Sequence, residues 1–195
     1  MTDFTRIVRD SRMRMRRSLR ERDGAHGAFE TELLSQGRTP RVETHVRTWP
    51  ADDNVAELLQ VPAGTPVLAR DRRMFCDERL VQLATSFLPF DLVEGTRITQ
   101  PDTGTGGTWS RLAELGHPVR HVRESAAVMP ATSYQAGSFV IAPGDDVLQI
   151  TRLAEDGVPI PLEVTVMTLD TRCWVLTDSW EVRFIDGWHV EDDDG

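Results

Sequence analysis

Apolar residues recur along this chain with two periods. Val67–Phe75 and Leu80–Leu88 carry the period of strands, and the chain between them, Cys76–Glu78, predicts a hairpin turn. Val147–Leu153 and Ile160–Leu169 predict a second hairpin through Glu155-Asp156-Gly157, where Asp-Gly is a strong turn signal. Cys173–Phe184 predicts a last strand. Helical spacing appears in Ala28–Gln36, with Phe29 and Leu33 on one face and Gly37 as the stop. It appears again after Asp52 or Asp53, where Val55, Leu58 and Leu59 share a face, and at Trp109, Leu112 and Ala113 before Gly116. Residues 4–22 lack Gly and Pro and place Phe4, Ile7, Val8, Met13, Met15 and Leu19 among arginines, which predicts a helical arm.

These segments are not independent, because the chain repeats itself at a constant offset, the one that carries Pro50 onto Pro130. Pro50, Ala51, Ala56, Gly64, Val67, Leu68, Arg72 and Thr85 recur as Pro130, Ala131, Ala136, Gly144, Val147, Leu148, Arg152 and Thr165. Eight identities in 36 ungapped columns exceed the roughly 2–3 that composition would give, yet two copies are too few for a solenoid. Each copy reads helix, tight turn, hairpin. The expected fold is therefore α+β, an antiparallel sheet with flanking helices and an internal pseudo-repeat.

Charge sharpens the picture. All 22 basic residues are arginine, and 31 acidic residues set the net charge at −9. Residues 1–22 hold eight arginines against three acids, a net +5, which leaves −14 on the remainder. A basic arm on an acidic body argues against a body that wraps nucleic acid. Two cysteines, Cys76 and Cys173, fit neither a disulfide framework nor a zinc site, so a reducing, cytoplasmic setting is expected. No apolar run approaches the roughly 18–20 residues of a membrane span, and no signal peptide is expected.

Catalytic patterns are thin. His117 and His121 are separated by Pro118, which breaks a shared helical face, and no serine sits in a nucleophile elbow. No metal, cofactor or catalytic residue is expected. A binding site is better supported. The glycine-rich run Asp102–Trp109 opens a helix, whose unpaired N–H groups favour an anion, although it matches neither a Walker A loop nor a dinucleotide fingerprint. Arg72 and its repeat partner Arg152 sit in otherwise apolar strands, where an inward guanidinium needs an anionic partner. Glu163, between Leu162 and Val164, is the acidic counterpart.

Gly27-Ala-Phe-Glu-Thr-Glu-Leu, Val67-Leu-Ala-Arg-Asp-Arg-Arg-Met-Phe, Val81-Gln-Leu-Ala-Thr-Ser-Phe-Leu-Pro and Asp102-Thr-Gly-Thr-Gly-Gly-Thr-Trp follow one another here. In that order they resemble the effector-binding (UTRA) domain of HutC-type, GntR-family transcriptional regulators, over roughly residues 24–184. The resemblance implies a chorismate-lyase-like fold with a small-molecule pocket, homodimerisation, and DNA contact through an N-terminal winged helix-turn-helix. It places the family's strand arginine on Arg72 and the anion-binding backbone on Gly107, Thr108 and Trp109. The late carboxylate falls on Glu163 if two residues are inserted around Ile160-Pro161. A second strand arginine is replaced by Met74, a glutamate by Ala84 and a tyrosine by Phe87, which disfavours a sugar-phosphate ligand. Phe87, Phe29 and Thr165 complete the expected ligand-binding set.

The expected organisation is a basic connector arm (1–26), an effector-binding domain (27–186) and an acidic tail (187–195), with the winged helix absent. The expected function is a non-enzymatic, ligand-sensing and dimerising module that binds a small anionic effector. Two alternatives are a chorismate-lyase-type enzyme and a partner-binding module whose pocket is plugged by Met74, Phe87 and Trp109.

Overall fold

The computed structural model describes residues 4–10, 14, 27–157 and 160–178. In chain order the elements are β1 (Ile7–Asp10), α1 (Ala28–Ser35), β2 (Pro40–Pro50), α2 (Asp53–Leu59), β3 (Pro66–Cys76) and β4 (Arg79–Pro89). A single turn α3 (Phe90–Val93), a 3-10 turn (Arg97–Thr99) and α4 (Gly107–Glu114) follow. The chain then continues through β5 (His121–Pro130), α5 (Ser133–Phe139), β6 (Asp146–Asp156), β7 (Ile160–Asp170) and β8 (Trp174–Thr177).

The repeat in sequence is a two-fold in space. Six antiparallel strands lie in the order β2-β3-β4-β7-β6-β5, so the halves meet at β4 and β7. Their central pair is Thr85 opposite Val166. The repeated residues are those the motif needs. Ala51 and Ala131 are buried at equivalent corners, where each accepts the N–H of Gly64 or Gly144. Both glycines have positive φ, 81° and 86°, which a side chain would strain. Asp52 caps α2 through Val55 N, and Thr132 caps α5 in a capping box with Gln135. Each hairpin also carries a bulge. Met74 faces Gln82 while Phe75 faces Leu80, leaving Val81 extra, and Ala154 faces Glu163 while Glu155 faces Pro161, leaving Leu162 extra.

Strand alternation sorts the sheet into two covered faces. On one face α2 packs Val55, Ala56 and Leu59 against Val67, Leu153 and Val164, so it crosses onto strands of the other half. Its counterpart α5 packs Ala136 and Phe139 against Phe75, Leu80 and Val147. Each fully buried Leu or Val contributes roughly 1.5–3 kcal/mol, and this exchange fuses the halves into one cooperative core. The other face is covered at its two ends only. At one end Phe29 and Leu33 of α1, with Ile7 and Trp174 of the β1–β8 pair, pack on Met74, Met167 and Leu169. At the other, Val93, Ile98 and Leu112 pack on Leu68, Leu88 and Leu162. The gap between these clusters is where a site can form.

Three expectations are corrected. Residues 7–10 form a strand, not part of a helix, because Ile7 is buried in the core and β1 pairs in parallel with β8. Residues 11–13 and 15–26 lie outside the described residues. β2 and β5 are sheet edges, exposed along much of their length, so their apolar alternation is weak. The first turn joins its strands through Asp77 and Glu78 alone, and the second is one residue longer, so the repeat offset grows by one between β4 and β7. Thr85 is therefore equivalent to Val166, and Thr165 to Ala84. Of the expected strand Cys173–Phe184, the described part is Trp174–Thr177; residues 179–184 and the acidic tail lie outside the described residues.

Candidate functional site

The gap on the open face is a cavity of about 300 Å³. Its floor is the even-numbered side chains of β3 and β4, with the matching positions of β6 and β7. Arg70, Arg72, Gln82, Ala84, Thr165 and Arg152 all line it. Phe29, Met74 and Met167 supply an apolar wall, and the loop before α4 supplies the roof.

Arg70 holds that roof in place. Its Nη1 donates to Ile98 O and, at 2.6 Å, to Gln100 O, while Nη2 donates to Pro101 O at 2.9 Å. The loop then turns through Gly104, Gly106 and Gly107, at φ of 76°, 83° and 71°, a path that glycine takes without strain. Asp102 Oδ1 accepts Gly104 N at 2.7 Å. No side chain caps α4, since its N-cap residue is Gly106. The first-turn backbone of Gly107, Thr108 and Trp109 borders the cavity, with Gly107 N donating to Gly104 O at 3.1 Å, and the positive end of the helix favours an anion there.

The two repeat-related arginines meet different partners. Arg152 stands opposite Glu124 in register and donates through Nε to Glu124 Oε1 at 2.6 Å. Its guanidinium also lies 5.5 Å from the centre of the Trp109 ring. The position equivalent to Glu124 is Thr44, opposite Arg72. Arg72 therefore has a threonine, not a carboxylate, directly opposite it on β2. Its Nη2 donates to Ser86 Oγ, which is 2.8 Å from Thr165 Oγ1. Its buried Nε has no hydrogen-bond partner among the described residues. Burial pulls the Arg72 pKa down; Glu163 opposes that shift, while Arg152 and Arg14 add to it. Glu163 is buried and accepts Trp109 Nε1 at 2.6 Å, which fixes the indole at the roof.

Seven of the eight expected ligand-binding residues border the cavity: Phe29, Arg72, Gly107, Thr108, Trp109, Glu163 and Thr165. Phe87 does not. It is one residue out of phase with Ser86, so its ring points to the opposite face and packs beside Val55 and Leu59. The plugged-pocket expectation fails with it, since Met74 and Trp109 stand in the walls of an existing cavity. Sequence reasoning missed Arg70, Gln82, Thr44 and Arg14, all of which line the cavity. Arg70 shares strand parity with Arg72, and Gln82 is the repeat equivalent of Glu163 across β4 and β7, so both left a signal. Arg14 left none.

The match to known proteins agrees with this geometry. Residues 35–171 match the UTRA domain family. The chain belongs to that family. A relative described as an uncharacterized HTH-type transcriptional regulator of Streptomyces coelicolor is 29% identical over 153 residues, covering 74% of this chain. The match spans 57% of that relative's own length. Among solved structures, a protein assigned to the GntR family of transcriptional regulators superposes with a TM-score of 0.77 at 20% identity, over 92% of this chain and 70% of that one. PhnF from Mycobacterium smegmatis superposes at 0.74 and 17% identity, over 91% and 73%. A ligand-binding domain assigned to a GntR-family regulator of Bordetella bronchiseptica superposes at 0.65 and 18% identity, over 73% and 91%. These likenesses establish the fold, an α+β UTRA domain on one antiparallel sheet. Among the described residues no helix is long and apolar enough to cross a membrane, and no group of three or more His, Cys, Asp or Glu is placed to hold a metal. Burial lifts the thiols of Cys76 and Cys173 to about 11 and about 12; both are buried in the UTRA core, and Cys173 Sγ donates to Asp170 Oδ2 at 3.4 Å.

Proposed function

We propose that this UTRA domain is the effector-binding and dimerising part of a HutC-type, GntR-family transcriptional regulator. Its cavity receives a small anion between the first turn of α4 and the sheet. One observation carries the reading: Arg72 enters the cavity with the Ser86 hydroxyl as its hydrogen-bond partner and, among the described residues, with a buried N–H unpaired. A buried cation in that state favours an incoming anion. The positive end of α4 receives the same charge, Glu163 and Thr165 suit a hydroxyl or amine, and Phe29 and Met167 suit an apolar body. DNA is read by a separate domain, and effector binding changes how two copies present it.

A thermal-shift screen of carboxylates and phosphates against the wild type and Arg72→Ala tests this. At a hundredfold excess over Kd an effector stabilises the native state by about 2.7 kcal/mol, or roughly 5–10 °C for a chain of this size. Arg72→Ala removes most of that shift. If no member of a broad anionic library shifts the wild type, the effector reading fails. Sedimentation checks the dimer, and a monomer at every concentration would overturn that part.

A further inference from the structure

Five guanidiniums gather at and beside the cavity, those of Arg9, Arg14, Arg70, Arg72 and Arg152. Glu32 pairs with Arg14, Glu163 acts on Arg72 through its charge, and Glu124 is shared. A single oxygen, Glu124 Oε1, takes Nη2 of Arg9 and Nε of Arg152, each at 2.6 Å. Asp102 and Glu30 also line the cavity, and Asp102 acts on Arg70. Nη1 of Arg9 and the Nε atoms of Arg14, Arg70 and Arg72 are buried with no hydrogen-bond partner among the described residues. Burial and mutual repulsion lower the Arg9 pKa to about 9, and burial with repulsion from Arg72 lowers that of Arg70 to about 10.

The incompletely paired guanidiniums fall in two places, Arg72 in one and Arg152 with Arg14 in the other. The pseudo-two-fold sets Arg72 and Arg152 at equivalent positions of β3 and β6, both lining the same cavity. Three strand spacings and a two-residue offset along the strands separate them, about 16 Å between backbones. Between them the floor is neutral, formed by Ala84, Ser86, Thr165 and Met167. We propose that the effector carries two acidic groups on a short spacer, a dicarboxylate or a phosphorylated carboxylic acid. Arg72 and the first turn of α4 hold the first group, and Arg152 with Arg14 holds the second. The second group supplies the negative charge that Glu124, split between two arginines, delivers only in part. This inference rests on the effector-binding reading and adds the ligand class.

Calorimetric titration of the full chain with succinate, glutarate, adipate and suberate, each beside its monomethyl ester, tests it. The ester keeps the size and removes one charge. The expected result is that the best diacid binds about tenfold or more tightly than its ester, the gain from one further charge-assisted contact. Arg152→Gln brings that ratio toward one, and Arg72→Gln weakens diacid and ester alike. Glu124 keeps Arg9 as partner in Arg152→Gln, so the variant is expected to fold, which circular dichroism checks. If it does not fold, the wild-type ratio decides alone. Equal binding of diacid and ester, or a ratio unmoved in folded Arg152→Gln, overturns the two-acid inference and leaves the single-anion reading standing where Arg72→Gln still weakens binding. No binding by any probe, together with an empty anion screen, overturns both.

Discussion

The two halves of the sheet share a backbone plan and differ in how each treats its central arginine. Arg152 stands opposite Glu124, and Arg72 stands opposite Thr44, the repeat equivalent of that glutamate. One half gives its cation a carboxylate on the adjacent strand, shared with Arg9, and the other gives its cation a threonine there. Duplication thus supplied two similar pockets' worth of side chains, and a single carboxylate separates their roles.

Exchanging that carboxylate is the largest test of the comparison. Glu124→Thr leaves Arg9 and Arg152 enclosed without their shared partner, and should destabilise the domain by about 3 kcal/mol. Urea denaturation measures this directly. The reverse change, Thr44→Glu, places a carboxylate opposite Arg72; stability should move by less than about 1 kcal/mol, while anion affinity falls tenfold or more. If Thr44→Glu binds anions as the wild type does, Arg72 is not the residue that receives them.

The halves also differ where the chain leaves them. After β4, Pro89 opens α3 and the roof of the cavity. After β7 the equivalent residue is Asp170, buried, with Oδ1 accepting Arg172 Nε at 2.9 Å and Oδ2 accepting Arg172 Nη2 at 2.8 Å and Arg79 Nη2 at 3.1 Å. This turn delivers β8 to β1. Burial pushes the Asp170 pKa up, but the hydrogen bonds and charge of Arg172 outweigh that and hold it below the usual range. A depressed carboxylate contributes stability that is fully present above about pH 4 and is lost as pH falls through its folded value. Asp170→Asn should therefore cost roughly 2–3 kcal/mol at pH 7 and flatten the acid limb of the stability profile. An acid limb unchanged in the variant would show that the exit turn is held by packing alone.

Legibility in the sequence followed the same division. The repeat was readable because its identities mark geometric necessities: a buried corner alanine, a positive-φ glycine and the first residues of a central strand. The edges were not readable in the same way. β2 does alternate Val42, Thr44, Val46 and Thr48, but Pro40 and Pro50 bound it and charged residues interrupt it, and no strand is predicted there. β1 depends on a parallel partner, Trp174–Thr177, at the opposite end of the described chain, and no local pattern predicts such a pair. At the site, Arg72, Glu163 and the glycine-rich turn were legible because charge in an apolar strand and glycine before a helix are unusual. Phe87 was misplaced because a family motif gives a position along the strand, whereas the face follows from parity. Glu124 was invisible as a site residue, since its role depends on the strand beside it.

The smallest test concerns the helix ends. Both α2 and α5 close through a residue in the left-handed region, Gln60 at φ 55° and Val140 at φ 55°. That conformation lets the next N–H, of Val61 or Ile141, return to Ala56 or Ala136 at 3.0 Å. The motif therefore demands positive φ in both halves, but the halves meet the demand unequally. Val140 is β-branched and 83% exposed, so it bears the steric strain with little burial to offset it. Val140→Gly should raise stability by about 1 kcal/mol, near 2–4 °C in Tm, with a smaller gain for Gln60→Gly. Equal gains would show that the backbone motif alone sets the strain. A loss at Val140 would mean that its side chain is covered in the working assembly, and this half of the surface would then be an interface rather than a free edge.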